Sequence, residues 1–166
     1  MPDGLECLRN QIRDAFPPTC FHGVVTKCSC DECWNIRNAL EGRSWNQIER
    51  EFIDLTCSPV LLDPEAFQAF LPAYLLGALD DYLKESVVVE FTVYSLCLDA
   101  VPDDEDTEPD CHRNSGVPQR LQDRARLMSA AQINAIRAFL SFIAERAAKA
   151  DGFRPFVVAS VGTIWR

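Results

Sequence analysis

Histidine is scarce. His22 and His112 are the only two in 166 residues, so any Ser-His or Cys-His mechanism must use one of them. His112 sits beside Cys111 in a loop-like acidic stretch, a poor setting for a positioned base. There is no G-x-S-x-G elbow, no phosphate-binding P-loop and no G-x-G-x-x-G. Long apolar runs are also missing. The best candidate, Phe67 to Leu79, is interrupted by Gln68, Pro72 and Gly77 and falls short of the ~18 residues of a membrane span. Met1 to Arg13 carries Asp3, Glu6, Arg9 and Arg13, which a signal peptide would not tolerate. No internal repeat is present. These absences leave an enzyme as the weaker reading and a cytoplasmic protein with reduced thiols as the expected setting.

What is present is ordinary in bulk. Apolar residues make up 48% and charged residues 25%, which excludes a wholly disordered chain. The length suits one domain spanning 1–166. Helix signals are well punctuated. Asp3 with Glu6, Ser44 with Gln47 and Ser129 with Gln132 have the spacing of capping boxes, in which two side chains satisfy free N–H groups at a helix start. Pro17-Pro18 stops the first helix. Asp31 is the expected cap of a second, with Gly42 as its stop, and Asp63-Pro64 reads as cap and first helical residue. Pro72 is expected to end or kink the helix that begins there, with another running from about Ala73 to Lys84. Val87 to Leu98 is rich in β-branched and aromatic residues and reads as a buried strand. Gly152 is expected to end the last long helix, and Phe156 to Val161 is a candidate strand beside the first. The expected fold class is therefore α+β, a helix-rich domain with a small sheet of two or three strands.

The most chemically loaded segment is Cys28-Ser-Cys30-Asp-Glu-Cys33. Zinc wants about four sulfur or imidazole ligands in a tetrahedron, and one loop plus one helix start can supply three of them at this spacing. A helix N-terminus also favours thiolates. His22 is the candidate fourth ligand; Cys20, Cys57, Cys111 and His112 are further possibilities, the last three through the fold alone. A second C-x-x-C pair is missing, and small, buried or half-exposed cysteines packing against Trp34 and Trp45 are the plain alternative. A redox role is the weaker expectation, because no thioredoxin-like βαβ pattern surrounds the cluster.

Charge is the other signal. The net charge is −9, yet seven acids fall between Asp99 and Asp110 with no base among them, and without those seven it would be −2. The stretch belongs to an expected loop at about 99–118. An acidic chain repels nucleic acid and favours a partner with a basic face. Asp104, Asp106, Glu108 and Asp110 stand at every second position, so an extended backbone would show carboxylates every ~6.6–6.8 Å along one side. Such a row fits a basic groove built for a nucleic-acid backbone. A solvated, self-repelling loop is the plain alternative.

Several motifs together resemble a bacterial family of uncharacterised proteins. They are Cys28-x-Cys30-x-Glu32-Cys33, Leu40-Glu-Gly42-x-x-Trp45, Leu62-x-Pro64-Glu65-Ala66-Phe67, the run from Phe70 to Leu76 and that from Val89 to Tyr94, followed by Leu127-x-x-Ala130-x-Gln132 and Phe139-Leu140. The resemblance spans about residues 28 to 143. It implies a histidine in many relatives where this chain has Cys28, and either residue can bind zinc. It implies no activity.

Two functional expectations follow. The leading one is an acidic protein-binding module, in its most concrete form an immunity or inhibitor protein that blocks a basic, nucleic-acid-processing partner through Asp103, Asp104, Asp106, Glu108 and Asp110. The rival is a zinc-binding protein, or a metal-dependent hydrolase, built on Cys28, Cys30 and Cys33 with His22.

Overall fold

A computed structural model describes residues 4–56, 59–97 and 117–166. Eight α-helices lie among them: α1 (Gly4–Ala15), α2 (Asp31–Leu40), α3 (Arg50–Thr56), α4 (Pro64–Asp81), α5 (Val87–Leu96), α6 (Val117–Leu127), α7 (Ala130–Arg146) and α8 (Ala150–Thr163). Short 3-10 turns at Trp45–Gln47 and Pro59–Leu61 lead into α3 and towards α4.

Helix α4 is the axis. It is apolar almost all the way round, the signature of a helix surrounded by protein rather than lying on a surface. Phe67, Phe70, Leu71, Leu75, Ala78 and Leu79 are fully buried, and Tyr74 nearly so. The helix α1, the turn at Trp45–Gln47, α3, α5 and α6 all pack against it, while α7 packs on α1 and α8. Asp63 and Pro64 begin it as cap and first residue. Pro72 does not end it. The ring removes one backbone hydrogen bond at a cost of about 3 kcal/mol, but each large side chain buried on either side returns ~1.5–3 kcal/mol. The helix continues to Asp81, so the expected break into two helices is corrected.

The expected α+β class is overturned, because no strand and no sheet occurs among the described residues. Val87 to Leu96 is helix α5, with Val88, Val89, Thr92, Val93, Ser95 and Leu96 buried and Val87 and Phe91 exposed. That is a helical period. A continuous apolar run carries no period of its own, so it fits a buried strand or a buried helix equally. The helix-propensity deficit of valine and threonine is at most ~0.7 kcal/mol per residue, and packing on α4 outweighs it. The second expected strand, Phe156 to Val161, lies inside α8, where Phe153, Val157 and Ser160 face inward. Gly152 is within the first turn of α8, while α7 ends at Arg146. Trp165, fully buried, fastens the end of the chain by donating from Nε1 to the Leu96 carbonyl at 2.8 Å.

Other signals hold. Ser129 and Gln132 form a reciprocal capping box at the start of α7. Gly42, at φ +73°, follows α2 in the left-handed conformation that glycine adopts without strain. Arg124 on α6 is buried, lies 4.1 Å over the Phe67 ring and donates to the carbonyls of Pro59, Val60 and Leu62. Among the described residues no helix is long and apolar enough to cross a membrane.

Phe70 sits fully buried on the axis, so Phe70→Ala should cost ~3–5 kcal/mol in a denaturant titration. A loss below about 1 kcal/mol would contradict the central place given to α4.

Candidate metal centre

The segment before α2 is pinned at several points. Trp45 donates from Nε1 to the Phe16 carbonyl at 2.8 Å, Phe21 N–H donates to the Arg43 carbonyl at 2.9 Å, and Gly42 N–H donates back to the Phe21 carbonyl at 2.9 Å. The Phe21 ring meets Phe70 of α4 edge-on, with centroids 5.6 Å apart. A Cβ at Gly23 would lie 2.7 Å from the same ring, so a side chain there would have to push the ring aside. Val25 and Thr26 are buried, and the Val25 carbonyl accepts from Asp63 N–H at 3.0 Å. Lys27 pairs with the Asp63 carboxylate at 3.3 Å. The chain therefore reaches Cys28 already fixed to the N-terminus of α4.

Helix α2 fixes the other half. Its inner face carries Cys33, Ile36 and Leu40, all at 1% exposure or less. The cap is Cys30, in extended conformation, with Asp31 as the first helical residue. This corrects the expectation that Asp31 caps the helix. Cys28 N–H donates to Thr26 Oγ1 at 3.3 Å, and Cys30 N–H donates to Cys28 Sγ at 3.4 Å.

These constraints bring Sγ of Cys28, Cys30 and Cys33 within 4.8 Å of one another. Three soft donors at that separation are close enough together to hold a metal ion. Cys28 and Cys30 are half-buried, so the cluster opens to solvent on one side. His22 is exposed and lies outside the group. Asp103, Asp104, Asp106, Glu108, Asp110, Cys57, Cys111 and His112 fall outside the described residues, as does most of the expected loop at 99–118.

Burial pushes the Cys33 thiol up to about 12, with further upward contributions from the neighbouring sulfurs and a hydrogen bond to Thr26 acting the other way. Without metal, Cys33 keeps its proton at neutral pH. A bound metal must displace it, so metal capture releases protons and strengthens as pH rises.

The other charged cluster is structural. Asp80 accepts from Arg9 at 2.6 Å, and Asp81 takes Lys84 at 2.6 Å together with Arg50, which also holds Asp54 at 2.7 Å. The hydrogen bond from Lys84, with the Arg50 charge, holds the Asp81 carboxyl below its usual range. These pairs tie α1 and α3 to the end of α4. Lys84 is a local partner three residues from Asp81, whereas Arg9 and Arg50 come from two other helices and gave no hint in the sequence.

Residues 29–165 match a family of unknown function, DUF6714. The chain belongs to that family. The match takes in Cys30 and Cys33 and continues to the C-terminal end of α8, beyond the range expected from the motifs. No curated protein and no solved structure matches the chain.

Cys97, also buried, has its thiol pushed up to about 12 by burial, against a hydrogen bond with Ser160. Cys33 and Cys97 both keep protons in the fold that the unfolded chain releases near pH 9. Their contribution to stability is full below that pH and is lost as pH rises towards 12. Metal-free protein should show falling stability above about pH 9 in denaturant titrations across that window, and Cys97→Ala should make the fall shallower. An unchanged slope in the variant would contradict the burial assigned to this thiol.

Proposed function

We propose that this chain is a zinc-binding protein whose metal is held by the thiolates of Cys28, Cys30 and Cys33. The observation that carries the reading is the convergence of the three sulfurs within 4.8 Å. Zinc with Zn–S bonds of ~2.3 Å in a tetrahedron sets its sulfurs roughly 3.8 Å apart, so the cluster needs only a small contraction. An all-sulfur set suits zinc and disfavours calcium or magnesium, which take oxygen. The histidine that the motif resemblance implies at the position of Cys28 would preserve a zinc ligand. The fourth position falls to water or to a side chain outside the trio, and His22, on the same segment, is the candidate from the sequence. Metal here would bridge the pinned loop to α2, so binding energy becomes folding energy. The hydrolase form of the reading also needs a positioned base. Asp31 and Glu32 stand next to the ligands, but both are exposed on the first turn of α2.

Protein purified without chelators should contain about one zinc per chain by elemental analysis. Removing it should lower the melting temperature. Less than about a tenth of an equivalent would leave the cysteines as ordinary packing residues.

The acidic stretch supports a second reading, a module that binds a protein with a basic surface, with an immunity or inhibitor role as its concrete form. What supports it is the concentration of seven acids between Asp99 and Asp110 without a base. Changing Asp103, Asp104, Asp106, Glu108 and Asp110 to Asn or Gln should leave stability within ~0.5 kcal/mol. Capture of basic partners from the native host should fall sharply, and capture by the unaltered chain should weaken with salt because charges are screened over ~8–10 Å. A neutralised variant that keeps every partner at low salt would end this reading.

A further inference from the structure

Building on the metal-site reading, we propose that Cys30 and Cys33 are also a reversible redox pair, oxidised by hydrogen peroxide to a disulfide that withdraws both sulfurs from the metal. The placement is specific. Cys30 is the N-cap of α2 and Cys33 its third residue, the two positions whose side chains meet in a capping box. The turn is closed by Trp34 N–H donating to the Cys30 carbonyl at 2.9 Å. Residues three apart on a helical turn have Cα atoms about 5 Å apart, within the ~4.4–6.8 Å that a disulfide spans. The sulfurs already lie within 4.8 Å.

Exposure divides the roles. Cys30 is half-buried and open to a small oxidant, whereas Cys33 is at 0% exposure and can be reached only by a neighbour inside the cluster. The Cys30 thiolate attacks one oxygen of hydrogen peroxide and the O–O bond breaks. The departing hydroxide takes a proton and leaves as water, and Cys30 becomes a sulfenic acid. The Cys33 sulfur then gives up its proton and attacks the Cys30 sulfur. The S–S bond forms as the S–O bond breaks, and the hydroxyl leaves with that proton as a second water. In total two thiols and one peroxide give one disulfide and two waters, with two electrons passing from sulfur to oxygen. Of the three sulfurs only Cys28 then remains, too few ligands even with the fourth position filled, since zinc needs about four. A small dithiol reverses the step by exchange, becoming the disulfide itself and returning both thiols.

The test uses the full chain in two arms, zinc-loaded and metal-free. Each arm receives one equivalent of hydrogen peroxide, proteolytic peptides are mapped by mass spectrometry, and released zinc is read with a chromogenic chelator. The expected result is a Cys30–Cys33 linked peptide about 2 Da lighter in both arms. Nearly all zinc should leave the loaded arm, and dithiothreitol should restore both thiols and zinc uptake. A link from Cys30 to any other cysteine, sulfinic acid at Cys30 without a link, or zinc retained after the Cys30–Cys33 link has formed would overturn the proposal. Failure of the loaded arm to take up zinc before any oxidant is added would refute the metal reading on its own, and the metal-free arm would still decide whether the pair links.

Discussion

A helix with no polar face cannot exist alone in water, and α4 is such a helix. Everything else in the described structure follows from the need to cover it. Helices α1, α3, α5 and α6 are its walls, and the ion pairs from Arg9 and Arg50 to Asp80 and Asp81 close its C-terminal end. At its N-terminal end the cover is irregular chain rather than helix. Phe21 packs on Phe70, and the Val25 carbonyl meets the N–H of Asp63. That irregular cover carries the cysteines. The cysteine cluster is thus placed by the same burial that stabilises the fold, although none of its sulfurs belongs to α4.

The cluster joins two kinds of support. Cys33 is set on the buried face of α2 that also carries Ile36 and Leu40, whereas Cys28 and Cys30 are held through their backbone N–H groups, bonded to Thr26 Oγ1 and Cys28 Sγ. Both supports exist before any metal binds, so the ordering cost of bringing three ligands together is largely met by folding. The opposing cost is electrostatic. Three thiolates packed together in a half-buried site would repel one another, and burial of Cys33 favours its neutral form. A thiophilic cation resolves that conflict by supplying the missing positive charge. Oxidation of a pair of thiols resolves it differently, by removing two ionisable groups. Metal binding and oxidation, as proposed, would draw on the same sulfur atoms.

How much of this was legible in the sequence depends on where local signals decide the structure. Ser129 with Gln132 marks a helix start because capping is a local hydrogen-bond matter, and Asp63-Pro64 marks another because proline at the first helical position already has the right φ and no N–H to satisfy. The spacing of Cys28, Cys30 and Cys33 pointed to a cluster because short segments hold few geometries. Val87–Leu96 and Phe156–Val161 misled because their apolar runs show no period, and only the neighbours α4 and α7 decide that they coil. The span of α4 through Pro72 was hidden for the same reason, since burial that outweighs a missing backbone bond comes from the rest of the fold. Asp31 reads as the cap because aspartate is a favoured N-cap residue, but the helix starts one residue earlier, with Cys30 as its cap. Arg124 gave no signal at all, because an arginine on an amphipathic helix looks solvated until the turn at Pro59–Leu61 is found beneath it.

The central claim is that three sulfurs of one loop and one helix start share a metal. X-ray absorption at the zinc K-edge of the purified protein reads that shell directly. The account predicts three sulfur neighbours at ~2.3 Å, with one lighter nitrogen or oxygen neighbour at ~2.0–2.1 Å. A shell of nitrogen and oxygen alone would place the zinc elsewhere on the molecule and contradict the account.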